Sequence, residues 1–188
     1  MTTAVISQRV LPRTQAMSIV LVLAAAALTA VAAQWSIVLP FTPVPITGQT
    51  FAVLLTGAAL GTTLGAAGQL VYVGVGALGL PVFSEGGSGW KVITGPTAGY
   101  LLGFVVAAAL IGYMAERRQD RTFATMFTAF FIGTVVIYGF GMVGLMIVGD
   151  YGLLESFELG VAPFVIGDIL KATAAGIVLP GAWRLAGD

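Results

Sequence analysis

From Thr14 to Ser84 the chain carries no charged side chain, and few folds are open to such a stretch. A soluble domain devotes roughly a quarter of its residues to Asp, Glu, Lys and Arg. Here the share is 9% across the whole chain, against 58% hydrophobic residues, too few charges to cover a water-facing surface. The solvent such a sequence suits is a bilayer. Its apolar runs are continuous rather than alternating, which selects helices over a β-barrel. The expected fold is an all-α membrane protein, a single integral membrane domain over residues 1–188.

Hydropathy places clear spans near 16–33, 94–115, 123–148 and 163–182, and leaves an uncharged, glycine-rich region from Thr47 to Leu80. As one helix that region would be roughly 50 Å long, too much for a core of about 30 Å but enough for two short spans. Charge placement decides between them. Arg9 and Arg13 precede the first span, Glu116-Arg-Arg-Gln-Asp-Arg121 separates two others, and Arg184 follows the last. Lys and Arg flank the cytoplasmic side, and these three segments share a side only if the glycine-rich region crosses twice. Six transmembrane helices follow, with both termini cytoplasmic, spans at 49–62 and 65–80, and a turn near Thr62–Gly65. A signal-peptide reading of the first span has Arg9, Arg13 and an Ala30-Val-Ala32 cleavage-like site in its favour. The apolar stretch is longer than the usual 7–15 residues, so a span is expected.

Several function classes drop out. The formal net charge is zero, which offers no electrostatic footprint for nucleic acid. With neither Cys nor His, disulfides, thiolate chemistry and imidazole bases or ligands are absent. No Walker sequence occurs, so ATP would have to be handled by a partner. Gly74-Val-Gly-Ala-Leu-Gly79 and Gly139-Phe-Gly-Met-Val-Gly144 spell the dinucleotide fingerprint. That fingerprint needs a preceding strand, whereas both lie in apolar membrane runs. No enzyme activity is expected.

The outer segments, Gln34–Gly48, Pro81–Ile93 and Gly149–Ala162, hold the unusual chemistry. The prolines of Leu39-Pro-Phe-Thr-Pro-Val-Pro-Ile-Thr47 forbid a regular helix and set extended backbone. Phe83-Ser-Glu-Gly-Gly-Ser-Gly-Trp-Lys91 is a glycine-rich loop ending on an aromatic. Trp35 and Trp183 fall at span ends, where indole anchors at the interface; Trp90 suits either an anchor or a wall over an apolar ligand. Small residues recur every fourth position at Gly57-Gly61-Gly65 and Gly95-Gly99-Gly103, spacing that packs helices within one chain. In the first span the corresponding face, Ala25, Ala26, Thr29, Ala30 and Ala33, suits internal packing or the docking of a second protein.

One further run, Pro163 to Pro180, is apolar except for Asp168 and Lys171. A charge at the centre of a membrane helix costs about 2.5–3.5 kcal/mol on insertion scales. Three residues apart, the two share a helix face and can partly neutralise each other. They could serve only to order the helices. Alternatively, since Lys171 lies about 12 Å of helix below Pro163, they could form the floor of an outward-facing cavity, suited to a neutral ligand with both N–H and C=O groups or to an anionic one.

Taken together, Pro40-Phe-Thr-Pro-Val-Pro-Ile-Thr-Gly-Gln-Thr50, Gly79-Leu-Pro-Val-Phe83, Gly95-Pro-Thr-Ala-Gly-Tyr-Leu-Leu-Gly-Phe104 and Gly160-Val-Ala-Pro-Phe164 with Gly167-Asp-Ile-Leu-Lys171 resemble the BioY family, the biotin-binding S components of energy-coupling factor (ECF) transporters. The resemblance implies a six-helix bundle with a biotin pocket near the outer face, in the cytoplasmic membrane of a bacterial-type cell. It also implies that the first helix docks, by its small residues, on a transmembrane coupling protein associated with two ATPase subunits. Biotin is then bound as cargo, and no cofactor is expected. On that reading Asp168 accepts a ureido N–H, and Lys171 donates to the ureido carbonyl or, if biotin lies the other way, to the valerate carboxylate; the first is preferred, because Lys91 near the mouth can meet the carboxylate without full desolvation. Gln49, Phe83, Trp90 and Tyr100 are further lining, with Ser84 or Glu85 reaching polar edges. Which of Ser84, Glu85 and Ser88 adds a ureido contact stays open. The alternatives are a stand-alone biotin facilitator and an S component for another small vitamin.

Overall fold

The structure, a computed structural model, describes residues 5–12 and 14–187; Arg13, one of the charges used to orient the chain, lies outside the described residues. A short helix α1 (Ile6–Val10) precedes α2 (Gln15–Gln34). Thr14 caps α2, its hydroxyl oxygen accepting from the Met17 N–H at 3.2 Å. The proline-rich segment then forms a hairpin of β1 (Ser36–Ile37) and β2 (Ile46–Thr47), antiparallel with Ser36 opposite Thr47. Only two residues of each strand pair, because the prolines between them have no N–H to give a ladder.

The glycine-rich stretch does divide into two short helices, α3 (Gln49–Leu60) and α4 (Thr62–Ala77). Their turn is not Thr62–Gly65, which already belongs to α4, but the single residue Gly61 at φ +87°. Glycine enters that region at little steric cost, so one residue suffices. Gly61 has no side chain with which to cap α4; Glu116 does so instead, Oε1 accepting from the Thr62 N–H at 2.8 Å.

The expected span 94–115 is broken near its start. Trp90–Ile93 forms a single turn, α5, and the long helix α6 (Ala98–Glu116) begins only after Gly95 and Pro96, a pair that disfavours continuous helix. Helix α7 (Phe123–Val148) follows. The segment Gly149–Ala162, read from sequence as an outer segment, contains a helix, α8 (Leu153–Gly160). A 3-10 turn at Ala162–Phe164 then leads into α9 (Val165–Leu185).

Four stretches among the described residues are long and apolar enough to cross a membrane: Gln15–Gln34, Ala98–Glu116, Phe123–Val148 and Leu153–Leu185. The chain is a multi-pass helical membrane protein. Helices α3 and α4, with 12 and 16 residues, reach only about 18 and 24 Å.

Helix α6 sits centrally, packed on α3, α4 and α7, while α2 lies on α4 and α9 on α7 and α3. Glycine makes these approaches possible: a Cβ at Gly57 would stand 2.6 Å from the Ala108 carbonyl oxygen, and one at Gly65 would stand 2.8 Å from Gly57 Cα. The small-residue face of α2 is also taken up inside the chain. Ala25, Ala26, Thr29 and Ala33 are buried, and Ala30 is half-buried. Gly68 of α4 supplies the groove, since a Cβ there would lie 2.7 Å from that of Ala25, and the Thr29 hydroxyl donates to Gln69 Oε1 at 3.2 Å. Of the face expected to suit partner docking, only Ala30 therefore keeps some exposure.

The three tryptophans part company. Trp35 is exposed at the end of α2, whereas Trp183 is buried, a correction to its reading as an interfacial anchor. It is drawn inward by Asp120 of the α6–α7 connection, to which its indole N–H donates at 2.6 Å.

Candidate functional site

Asp168 lies in the first turn of α9, where the helix dipole favours a carboxylate. Lys171 lies one turn further on, and its Nζ is 2.7 Å from Asp168 Oδ1. The pair does not stand alone. Lys171 also donates to the Thr47 carbonyl of β2 at 2.9 Å and to the Thr50 hydroxyl of α3 at 2.8 Å. Thr50 passes its own hydrogen to Asp168 Oδ1 at 3.2 Å, and from α7 the Tyr138 hydroxyl donates to Oδ2. Residues of β2, α3, α7 and α9 thus meet at two charges.

Counting donors changes the expected division of labour. An ammonium has three N–H bonds and no acceptor, and those of Lys171 are directed at Thr47, Thr50 and Asp168. A donation from Lys171 to a ligand carbonyl, as expected from sequence, requires one of these bonds to open. On the carboxylate, Oδ1 accepts twice, from Lys171 and Thr50, and Oδ2 once, from Tyr138. With two lone pairs per oxygen, a remaining acceptor position belongs to Oδ2.

This network borders a cavity whose space open to the centre of a water molecule is about 60 Å³, several times the roughly 10–15 Å³ that one water needs. Its polar border includes Asp168, Lys171, Thr47, Thr50, Gln49, Thr97 and Tyr138; its apolar walls include Phe83, Tyr100, Leu101, Phe104 and Phe164. Val44 and Pro45 reach it from the hairpin, and Ser84 from the glycine-rich loop. The polar ends of two lining residues are already engaged. Gln49 Nε2 donates to the Tyr72 hydroxyl at 2.7 Å, and the Tyr100 hydroxyl donates to the Gly160 carbonyl at 2.7 Å, so Tyr100 offers the cavity its ring.

The sequence-derived candidates divide accordingly. Asp168, Lys171, Gln49, Phe83, Ser84 and Tyr100 gather around one cavity. Trp90, Lys91 and Glu85 do not line it. Trp90 is 71% exposed: it opens the one-turn helix α5 immediately after Gly89, at φ +73°, and Lys91 beside it is exposed too. Glu85 occupies a left-handed conformation, φ 58°, in a tight 3-10 turn that leaves its side chain exposed.

Thr47, Thr50, Tyr138 and Phe164 were not singled out from sequence. The threonines lie inside the proline motif without a charge to mark them, and Tyr138 sits in a 26-residue apolar helix. The available signal was a phenol in the middle of the apolar run Val135–Gly141, since a buried hydroxyl there requires a partner.

The BioY family model matches residues 3–188. The biotin transporter BioY of Rhizobium etli is 36% identical over 147 residues, covering 74% of this chain and 78% of that protein. The biotin transporter BioY of Thermotoga maritima is 36% identical over 140 residues, covering 74% of this chain and 81% of its own. The crystal structure of the S-component for biotin from an ECF-type ABC transporter matches with a TM-score of 0.82, over 92% of this chain and 95% of that one. At 21% identity that likeness concerns the fold.

Proposed function

The chain belongs to the BioY family, and on that premise we propose that it takes up biotin as the S component of an ECF transporter. It captures the vitamin at the outer face and delivers it inward with a transmembrane coupling protein and two ATPase subunits. In this reading α2, α3, α4, α6, α7 and α9 cross the cytoplasmic membrane of a bacterial-type cell, both termini face the cytoplasm, and the hairpin, α5 and α8 lie outside. Biotin is cargo; no cofactor enters and no bond is made or broken.

The carrying observation is the cavity with a charged, hydrogen-bonded border and aromatic walls. Biotin needs such a combination: its fused rings are apolar on their faces, and its ureido group presents two N–H donors and one carbonyl. Asp168 Oδ2 accepts one ureido N–H. Phe83, Tyr100, Phe104 and Phe164 enclose the thiophane ring, and the Ser84 hydroxyl donates to the ureido carbonyl. The hairpin residues Val44 and Pro45 and the loop residues Phe83 and Ser84 border the same cavity and complete its walls around the ligand.

The test is saturable binding of biotin to the purified chain in detergent or nanodiscs, followed by uptake into vesicles with and without the coupling module. Binding with uptake that depends on the module is expected. No binding would remove the biotin reading. Full uptake without the module would replace the S component with a stand-alone facilitator.

A further inference from the structure

We infer that Tyr138 is a positioning residue for recognition of the ureido group, acting through Asp168; this rests on the biotin reading above. A carboxylate presented to a cavity can rotate, and its selectivity depends on which lone pairs remain when rotation stops. Around Asp168 the rotation is stopped from two sides. Lys171 at 2.7 Å and Thr50 at 3.2 Å hold Oδ1. The Tyr138 hydroxyl, from α7, holds Oδ2.

Two consequences follow from the count of donors. With Oδ1 filled and Oδ2 half filled, Asp168 offers the cavity a single directed acceptor, suited to an N–H and not to a second carbonyl. Without the Tyr138 hydroxyl, Oδ2 has two open positions, and the carboxylate can tilt toward either or take water. The phenol also has a reason to be Tyr rather than Phe at this depth. Its ring packs near Phe164, with centroids 6.5 Å apart, which a Phe would do equally well; the hydroxyl has Asp168 as its partner.

The experiment is a double-substitution cycle on the full chain, read by biotin affinity. Tyr138→Phe keeps the ring, and Asp168→Asn removes the charged acceptor. Each alone is expected to weaken biotin binding by about tenfold or more. The pair is expected to bind within about twofold of Asp168→Asn alone, since coupled sites are not additive. A second ligand supplies a readout that loss of packing would not move: the cyclic-carbamate analogue of biotin, in which one ureido N–H is replaced by ring oxygen. The unsubstituted chain should prefer biotin over the carbamate lacking the N–H that faces Asp168, and in Tyr138→Phe that preference should shrink, with the biotin-free melting temperature retained. Losses that multiply in the double variant, or an unchanged preference ratio in Tyr138→Phe, overturn the role of Tyr138 alone. An unsubstituted chain that fails to bind biotin overturns the role and the biotin reading together.

Discussion

Two buried carboxylates meet helix α9, one near each end, and each has a cation beside it. Near its start, Asp168 pairs with Lys171 inside a ring of hydroxyl and carbonyl groups from β2, α3 and α7. Near its end, Asp120 accepts from the Trp183 indole N–H at 2.6 Å and pairs with Arg121 at 3.3 Å, and the Arg121 guanidinium lies 3.2 Å above the Trp183 ring. The first carboxylate borders a cavity; the second is 1% exposed and roofed by an indole that is itself buried. Burial pushes the Asp120 carboxyl above its ordinary range, against the opposing pull of Trp183 and Arg121. Similar chemistry thus does two things. On the proposed reading a charge pair serves a ligand where its network borders a cavity, and forms a structural tie where an apolar ring closes over it.

The largest expected effects separate these two on affinity. Lys171→Met leaves the Asp168 charge with neutral partners only, and Asp168→Asn removes the charged acceptor. Either should weaken biotin binding by about one to two orders of magnitude, the equivalent of about 1.5–3 kcal/mol for hydrogen bonds to a charged group. Asp168→Asn belongs at the upper end, because it changes the acceptor that meets the ligand, whereas Lys171, its three N–H bonds directed at Thr47, Thr50 and Asp168, acts on the ligand through Asp168. Titration calorimetry of the two variants checks both values; unchanged affinity in both would make this end of α9 a structural tie like the other.

Trp183→Phe is the converse. It keeps a ring for Arg121 but removes the N–H given to Asp120, leaving a buried carboxylate one donor short. A loss of about 1–3 kcal/mol in folded stability is expected, with biotin affinity unchanged. A melting curve and a binding isotherm on one preparation decide, and a fall in affinity without a fall in melting temperature would contradict the division drawn above.

A smaller effect is readable in pH. Because the folded state raises the Asp120 carboxyl above its ordinary value of about 3.9, the folded chain binds that proton more tightly than the unfolded one. The corresponding stabilisation is present below the ordinary value and is lost as pH rises through the raised one. Asp120→Asn removes this dependence, so across that window its melting temperature should fall less with rising pH than that of the unsubstituted chain. Parallel curves would show that Asp120 does not titrate there.

The contrast between the two ends of α9 also marks what could be read beforehand. Asp168 and Lys171 were legible because a charge in an apolar run is costly, and the helical course of the uncharged stretch was legible from hydropathy and length. Helix α8 was not, because Glu155 and Glu158 marked the segment only as outer, although Leu153, Leu154 and Phe157 stand on it. Asp120 and Arg121 looked like ordinary connection charges, since burial by Trp183 arises from contact between residues 63 positions apart. Thr50 and Tyr138 carry no charge and so no cost that hydropathy could register. The α2 face was legible only as an open choice: alanine at every fourth position serves internal and external partners alike, and the packing against Gly68 on α4 could not be read beforehand.

The smallest expected effect tests the cavity boundary. Trp90 and Lys91 look from sequence like wall and cation, yet their exposure at the start of α5 places them in solvent or headgroups rather than against a ligand. Exposed side chains that touch nothing in the site contribute little, and a solvated ammonium at the mouth is screened within about 8–10 Å at physiological salt. Trp90→Ala and Lys91→Ala should therefore each change biotin affinity by less than about twofold, within the scatter expected of independent sites. Phe83→Ala, by contrast, opens the wall itself: its ring is 2% exposed and stands edge-on to Tyr72 at 5.5 Å. A tenfold loss from Trp90→Ala would mean that α5 folds inward when biotin binds, and the boundary would then have to be redrawn to include the loop that carries it.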